Sequence, residues 1–515
     1  MGVDFEVPLG GPVWVQKPFA TTDRAVMREV ILPFDLQWQR LLPVALCSTL
    51  IAAVLTSATS VSHADTLKQS LAAAYKYNPR LDAERARLRA TDEEVARAKS
   101  GYRPSINGQA DITGQDTRTR PGGAGNGGNT AKGYSINLVQ PLFRGFQTTN
   151  AVNEAEAAVR AGRETLRDVE RQVLTEAVTF YMDVVRDQAI VRLQESNVSV
   201  LTRELKATQE RFAVGEVTRT DVSQAIARRA GSVSQLDLAK ANLKTSRASF
   251  ERVTGNPPSN LTDPAVPEKL LPKSLEEATA IGVRENALVV AALYREQGAR
   301  YTVDRIRGEL LPTVQLEASY SERFDPSRLI EESETGTVAG RVNVPIYDAG
   351  GEVYARVRQA KHTHVSRMQE IEQVRTEVRQ SVIAAWSQMQ AARAQLVSDQ
   401  VQVDANRTAL SGVREEEKVG QRTLLDVLDA EQELLNAEVT LATTRRNLVV
   451  ASHNVLAAMG RLDSLTLGTV GQIYDPEQNY LETRRKWWGL SITHGDGRRE
   501  AVDLWDSHGR HQPVK

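Results

Sequence analysis

The amino-acid sequence predicts a mainly α-helical protein with a small β part, built from one unit that occurs twice. Apolar residues recur every seven positions over long stretches, as in an antiparallel coiled coil. Two shorter segments in each half instead alternate apolar and polar residues, which is the spacing of β-strands. Gly215 and Gly420 lie in two similar turns, 420 − 215 = 205 residues apart. The repeated unit is therefore a strand pair followed by a long helical hairpin.

The composition argues against several classes of protein. The 515 residues are 41% hydrophobic and 25% charged with a net charge of −1, which disfavours a nucleic-acid-binding protein and an acidic disordered chain. Aromatic residues make up only 5%, and the long runs of helix-forming residues are typical of extended helices. The sequence contains no phosphate-binding loop, nucleophile motif or metal-ligand cluster, so we expect no enzyme and no cofactor. His362 and His364 point to different sides of a helix and are not expected to bind a metal.

Residues 27–64 have the layout of a secretory signal peptide. Arg28 and Arg40 precede an apolar run over residues 41–55, and a small-residue site ends at Ala64, after which we expect cleavage. Residues 1–26 form an N-terminal extension that does not belong to this layout. Cys47, the only cysteine, would leave with the signal, so we expect no disulfide in the exported protein.

The first repeat is expected to cover residues 65–256. A helix over residues 66–100 comes first, and two strands follow, separated by a Gly-rich loop over residues 121–130. The second strand is expected to end near Pro141. One side of these strands is formed by Ile106, Gly108, Ala110 and Ile112, then by Tyr134, Ile136 and Leu138, and polar residues alternate with them.

A helix of about 66 residues, about 100 Å long at about 1.5 Å per residue, is predicted between Gly145 and the turn at Gly215. Its apolar seam is interrupted by a shift of four residues, which locally relaxes the supercoil. The seam positions are Val152, Val159, Leu166, Val173 and Phe180, then Val184, Val191, Val198, Leu205 and Phe212. A return helix follows the turn.

The second half repeats this order after a Pro-rich joint over residues 257–273. The second repeat covers residues 274–461, and its long helix has the same seam shift at the displacement of 205. Its strands are expected at residues 314–320 and 338–346, with a polar loop between them. The sequence leaves open whether the tail, residues 462–515 with Trp487 and Trp488, packs around the helices or is disordered.

The strands imply an assembly of several chains. No stretch after the signal approaches the roughly 18 apolar residues of a membrane-spanning helix, whereas each half offers two amphipathic strands of about 9 to 11 residues. Four strands cannot close a barrel, and an open sheet edge is not tolerated in lipid. Three chains would supply twelve strands, and the long helices would continue the barrel as a tube.

Several motifs together resemble the TolC family of outer-membrane channel proteins. They are PLFRGF at residues 141–146, RFAVG at 211–215, TDV at 220–222, VG at 419–420 and RTLLDVLD at 422–429. The resemblance covers about residues 66–462 and implies a homotrimeric, 12-stranded outer-membrane β-barrel continuous with a periplasmic α-helical barrel. It implies an exit channel for small-molecule efflux or type I secretion, embedded in outer-membrane lipid. The implied partners are a periplasmic adaptor (membrane fusion) protein and an inner-membrane pump of the RND, ABC or MFS type.

The resemblance also assigns roles to residues at the two turns. Asp426 and Asp429 are similar to the carboxylate ring that narrows the periplasmic entrance, where six carboxylates of a trimer would attract cations. Arg422 resembles the arginine that ties its hairpin to Thr220 and Asp221 of a neighbouring hairpin and holds the entrance shut.

One position of this latch differs from the family pattern. Glu417 stands where a tyrosine is found in a well-known member, and we expect it to repel Asp221. Val214 and Gly215 in the first turn, and Val419 and Gly420 in the second, match the surface on which the tips of the adaptor dock.

Other interpretations of these residues stay open in the sequence. Asp221 and Asp426 also fit ordinary carboxylates at helix N-termini, and the two glycines fit turn residues. For the whole chain, the alternative is a secreted or surface-attached structural coiled-coil protein without channel activity. Efflux and protein secretion are not distinguished, because the pump selects the passenger.

Overall fold

The structure, a computed structural model, describes residues 66–121, 126–347, 349–469, 473–494 and 499–500. The predicted N-terminal extension, the signal segment and Cys47 lie outside these residues. Parts of the Gly-rich loop and of the C-terminal tail lie outside them as well.

The first half of the described chain contains four helices and two strands. They are α1 (Leu67–Tyr77), α2 (Pro79–Lys99), β1 (Ser105–Thr117), β2 (Gly127–Arg144), α3 (Gln147–Ala213) and α4 (Arg219–Thr254). The second half gives α5 (Leu275–Glu285), α6 (Ala287–Arg307), β3 (Thr313–Ser327), β4 (Ile330–Asn343), α7 (Glu352–Lys418) and α8 (Leu424–Met459). The tail adds α9 (Pro476–Arg484) and a short ladder of β5 (Ile492–Thr493) with β6 (Arg499–Glu500).

Matched helices of the two halves have equal lengths. The long helices α3 and α7 each have 67 residues, and the return helices α4 and α8 each have 36. The shorter helices also agree, with 11 residues in α1 and α5 and 21 residues in α2 and α6. The predicted duplication and the predicted long helix are confirmed.

The single helix expected over residues 66–100 is wrong, because the chain breaks at Asn78. Asn78 has an extended backbone, and its side-chain Oδ1 accepts a hydrogen bond from the N–H of Arg80 at 3.0 Å. Pro79 then occupies the first position of α2, where a missing N–H costs nothing. The heptad spacing continued across the break, so it did not reveal the new helix start.

The four long strands form one antiparallel sheet in the order β1-β2-β3-β4. Its register places Ile106, Leu138, Ala318 and Val338 in one row on one face. The next row, on the other face, contains Asn107, Asn137, Ser319 and Thr337. The predicted alternation of an apolar and a polar face is therefore confirmed.

The strands are longer than the sequence indicated, with 13, 18, 15 and 14 residues. The polar loop expected between β3 and β4 is wrong, because both strands continue until Ser327 and Ile330. β2 runs past Pro141 with a register shift before Phe143, since proline cannot donate to the ladder. β4 ends at Asn343 rather than near residue 346.

The main apolar core lies where the return helices end. The core joins Leu81 of α2, Val173 and Tyr181 of α3, Val382 of α7 and Leu456 of α8, all at most 1% exposed. Most of the predicted seam packs there or against the return helix. Phe212, near the turn, is 45% exposed in the single chain.

Two asparagines make the same contact between helices, one in each half. The side-chain Nδ2 of Asn78 donates to Val253 O at 3.2 Å, and that of Asn286 donates to Ala458 O at 2.9 Å. Both side chains are buried, and each also caps the helix that follows it. Each asparagine thereby ties the start of a 21-residue helix to the end of a return helix.

Candidate functional site

Each helical hairpin reverses at a short turn that we call a tip, formed by residues 214–218 in the first hairpin and 419–423 in the second. Gly215 and Gly420 have φ values of +84° and +78°, a conformation that glycine adopts without strain. Two backbone hydrogen bonds close each tip: Gly215 to Phe212 and Glu216 to Arg211 (3.0 Å each), Gly420 to Glu417 and Gln421 to Glu416 (2.9 Å each). Both glycines act as turn residues, as in the Schellman motif.

A capping box begins each return helix. The side-chain Oδ2 of Asp221 accepts hydrogen bonds from the N–H and the hydroxyl of Thr218, both at 2.8 Å. Asp426 accepts the same pair from Thr423, at 2.9 and 2.8 Å. These bonds, first from the backbone and then from the hydroxyl, hold the pKa of both carboxyls below their ordinary value. Both aspartates are thus helix N-terminal carboxylates, and Asp426 stays ionised at neutral pH.

Two ion pairs join the first hairpin to the second near the tips. Arg211 Nη1 at the end of α3 lies 2.6 Å from Glu417 Oε1 at the end of α7. Arg228 Nη2 of α4 lies 2.5 Å from Asp429 Oδ1 of α8. Glu417 therefore pairs with an arginine, and Arg211 rather than Glu417 contributes to the charge environment of Asp221.

Arg422 is held within its own hairpin. Its Nε lies 3.0 Å from Glu416 Oε2, and its Nη1 lies 4.0 Å from Asp426 Oδ1. Thr220 is exposed at the second position of α4. The predicted link joins Arg422 to Thr220 and Asp221 of a neighbouring hairpin. It would involve a hairpin of another copy of the chain, and it stays a prediction.

A buried carboxylate lies in the return helix α8, close to the second tip. Glu431 of α8 is 6% exposed, and its Oε1 accepts from Arg414 Nη2 of α7 at 2.5 Å. Its Oε2 is buried and has no partner among the described side chains. Burial first, and then the charge of Glu431, raise the pKa of Glu204 on α3, while Arg414 acts in the opposite direction. Three helices thus place two carboxylates against one arginine.

The tips present apolar side chains to solvent. Val214 is 72% exposed and Val419 is 70% exposed, and a Cβ added to either tip glycine would meet nothing within 4 Å. All four residues expected to dock a partner therefore lie on accessible surface in this chain.

Three arginines of this site were not among the residues predicted from the sequence: Arg211, Arg228 and Arg414. The displacement between the repeats does not reveal their partners. Arg211 matches Glu416 and Arg228 matches Glu433, 205 residues later, whereas the ion pairs are made with Glu417 and Asp429.

The described residues contain no group of three or more His, Cys, Asp or Glu side chains that could hold a metal ion. His364 is half-buried in the seam, with its Nε2 2.5 Å from Glu296 Oε1. In the same part of the chain, no helix combines the length and the apolar character that crossing a membrane requires.

Comparisons with known proteins agree on one group. The family model described as outer membrane efflux protein matches residues 51–256 and 283–461. Outer membrane efflux protein BepC of Brucella suis is 39% identical over 457 residues, covering 87% of this chain and 98% of that protein. Outer membrane protein TolC of Escherichia coli is 26% identical and covers 83% and 88%. The crystal structure of the Campylobacter jejuni CmeC outer membrane channel superposes with a TM-score of 0.67 at 18% identity, covering 81% of this chain and 89% of that one.

Proposed function

The chain belongs to the outer membrane efflux protein family, and from this premise we propose that its two tips form the periplasmic gate of an exit channel. The protein is an outer-membrane channel protein of the TolC type whose helices lie in the periplasm. Membership of this family favours the channel over the structural coiled coil considered as the alternative. Transport rather than catalysis is the activity of the family.

We propose that three chains assemble into a barrel of twelve strands. Among the described strands, β1 and β4 each pair on one side only, and such edges need a partner in lipid. The polar face of the sheet would line the lumen, where Arg341 Nη2 and Glu317 Oε2 form an ion pair of 2.8 Å. The apolar face would contact outer-membrane lipid.

The gate proposal rests on the carboxylates at the second tip. Asp426 is kept ionised by its capping box, and Asp429 lies one helical turn further along the same helix. In a trimer, six such carboxylates would form a constriction that prefers cations. The ion pairs Arg211–Glu417 and Arg228–Asp429 would hold the hairpins together in the closed state, together with the latch through Arg422.

We further propose the partners that supply the substrate and the energy. Members of this family work in efflux and secretion systems with partner proteins. The exposed Val214 and Val419, next to Gly215 and Gly420, are the surface proposed to dock a periplasmic adaptor. An inner-membrane pump of the RND, ABC or MFS type would drive transport. Its identity would decide between small-molecule efflux and type I secretion.

We also propose that the chain divides into two repeats, a joint and a tail. Residues 65–256 and 274–461 are the two repeats, residues 257–273 are the joint, and residues 462–515 are the tail. The equal helix lengths in the two repeats support this division.

Single-channel recording tests the proposed gate. The mature protein is inserted into a planar bilayer, and a trivalent cation is added from the side of the helical tips. We expect small, cation-preferring openings that the trivalent ion blocks from that side only. In Asp426→Asn with Asp429→Asn, the cation preference and the block should both weaken. Openings of the double variant that match the wild type in both properties would mean that these carboxylates do not face the pore.

A further inference from the structure

The tail segment after α9 is both basic and aromatic. Residues 484–494 read RRKWWGLSITH and contain no acidic residue. The side chains of Trp487 and Trp488 are 67% and 91% exposed, and Leu490 and Ile492 are also exposed. Large aromatic side chains that are exposed to solvent beside cations are typical of a surface that binds a protein, a membrane or a ligand.

Arg103 fixes this segment beside the sheet. Its Nη2 donates to Lys486 O at 2.9 Å and its Nη1 donates to Trp487 O at 3.2 Å. Its guanidinium also stacks over the ring of Trp487, 4.8 Å from the centroid. Arg103 stands two residues before β1 begins at Ser105. The tail is therefore held at the end of the sheet from which the long helices leave.

The same contact region adjoins the apolar face of the sheet. Gln140 of β2 shares its face with Leu138 and Ile136, because side chains alternate along a strand. Its Nε2 donates to Tyr102 O at 3.0 Å, so the chain next to Arg103 lies under that face. Ile106, the first apolar residue of the face in β1, is three residues from Arg103, at most about 11 Å along the backbone.

Cations outnumber carboxylates where the tail meets the helices. Arg484 Nη2 lies 3.1 Å from Glu156 Oε1, and the hydroxyl of Tyr480 donates to the same carboxylate at 3.2 Å. Lys99 and Arg103 are close by. Burial first, and then the charge of Arg484, lower the pKa of Lys99, while Glu156 opposes this. Glu482 Oε2 also accepts from Thr493 Oγ1 of the tail at 3.3 Å, and Glu93 lies beside Arg485 and Lys486. The cations Lys99, Arg103, Arg484, Arg485 and Lys486 still outnumber the carboxylates Glu93, Glu156 and Glu482, which leaves a positive surface that suits phosphate groups.

We propose that residues 484–492 bind the phospholipid surface of the periplasmic leaflet of the outer membrane. Trp488 would lie among the headgroups and upper acyl chains, the depth that tryptophan prefers. Arg485 and the cations around Arg103 would face the lipid phosphates. The proposal rests on the placement of the sheet in the bilayer given above. A neighbouring copy of the chain is the other surface that could cover the tryptophans.

Tryptophan quenching by brominated phospholipids tests the contact. The mature protein is inserted into vesicles of phosphatidylcholine and phosphatidylglycerol, with and without bromine on the upper acyl chain. We expect brominated lipid to quench the wild type, and Trp488→Ala to lower the quenched intensity about twofold.

Trp386→Phe is the matched control. Trp386 lies in α7, 34 residues after Glu352 (386 − 352), which places it about 50 Å from the sheet at about 1.5 Å per residue. This variant should keep the lipid-dependent quenching. Trp488→Phe, which keeps an aromatic ring, provides a second variant if the alanine variant folds poorly.

Ion conductance of the same vesicles distinguishes a failure of the lipid contact from a failure of the proposed channel function. Equal quenching of wild type and Trp488→Ala in vesicles that conduct ions would overturn the lipid contact and leave the channel intact. Wild-type protein that neither inserts nor conducts would overturn the proposed function, and the lipid contact with it.

Discussion

The guanidinium of Arg211 lies 2.6 Å from the carboxylate of Glu417 and joins the far ends of the two long helices of one chain. Arg211 lies three residues before the first tip and Glu417 two residues before the second, so the pair sets the spacing of the two hairpins where they are least supported by the core. Arg211 is the more exposed partner, and exposed pairs of this kind contribute about 0.2–1 kcal/mol each. A small stabilisation at the tips suits the proposed gate, because its closed state must open on demand.

Arg211→Gln should shift the channel towards its open state. Three links of about 0.2–1 kcal/mol in a trimer correspond to a roughly 3- to 150-fold change in the closed-to-open ratio. The measurement is single-channel conductance and open probability. The exchange Arg211→Glu with Glu417→Arg should restore the wild-type value. An open probability of Arg211→Gln equal to that of the wild type would contradict the role of this pair.

Arg228→Gln should strengthen block by multivalent cations. Arg228 is paired with Asp429, and removing a positive charge at contact distance changes the local energy by about 1 kcal/mol in water, or about fivefold in affinity. The blocking concentration of a trivalent cation is the observable. Arg229→Gln is the matched control, because Arg229 Nε contacts Thr202 Oγ1 instead, at 3.1 Å. Equal block in both variants would remove Asp429 from the ion pathway.

Glu204→Gln should abolish a pH dependence of tip closure. The pKa of Glu204 is raised in the packed state, by burial first and by Glu431 next. A raised carboxyl pKa means that the packed state favours the protonated form, so closure strengthens as pH falls through that pKa and weakens above it. The glutamine variant should close as well at neutral pH as the wild type does in acid.

Protease cleavage at the tips, measured against pH, checks this expectation. Glu415→Gln on α7 is the control, since Glu415 is exposed and pairs with Lys418 at 2.7 Å. A glutamine variant at position 204 that keeps the full pH response would show that another group titrates.

Asn286→Ala should lower the thermal unfolding midpoint. The substitution removes a helix cap worth about 1 kcal/mol and leaves the buried Ala458 carbonyl without its donor, at about 1–3 kcal/mol. Asn286→Asp keeps the cap but places a carboxylate oxygen against the Ala458 carbonyl oxygen in a buried site, so it should cost at least as much as alanine. Asn78→Ala should behave alike. An unfolding midpoint unchanged in both alanine variants would mean that these two asparagine contacts do not stabilise the fold.

The apolar pattern determined most of the helical fold. Seam residues such as Val173 and Val184 predicted α3 because burial enforces a seven-residue spacing over its whole length. The strand ends were not predictable in the same way. Residues 321–337 are rich in Ser, Thr and Glu on both faces, so the alternation that marks a strand disappears while the backbone pairing continues.

The site was predictable where backbone geometry decides it. Gly215, Gly420 and the aspartates of the capping boxes follow from local rules for helix ends. Arg211 and Arg228 do not, because their partners lie on another hairpin. Which long side chains meet there depends on the rotation and offset of two helices, and a heptad repeat constrains these only at its apolar positions.

The length of the return helices determines how far a tip moves when its hairpin rotates about the core. Each return helix has 36 residues between its tip and the core, a lever arm of about 54 Å at about 1.5 Å per residue. Rotation of a hairpin by about 10° about the core would displace its tip by about 9 Å, calculated from that same rise per residue. A change of a few degrees in packing, well within the scatter of ordinary helix crossing angles, would thus widen the proposed entrance from the width of an ion to that of a small molecule while the sheet keeps its position.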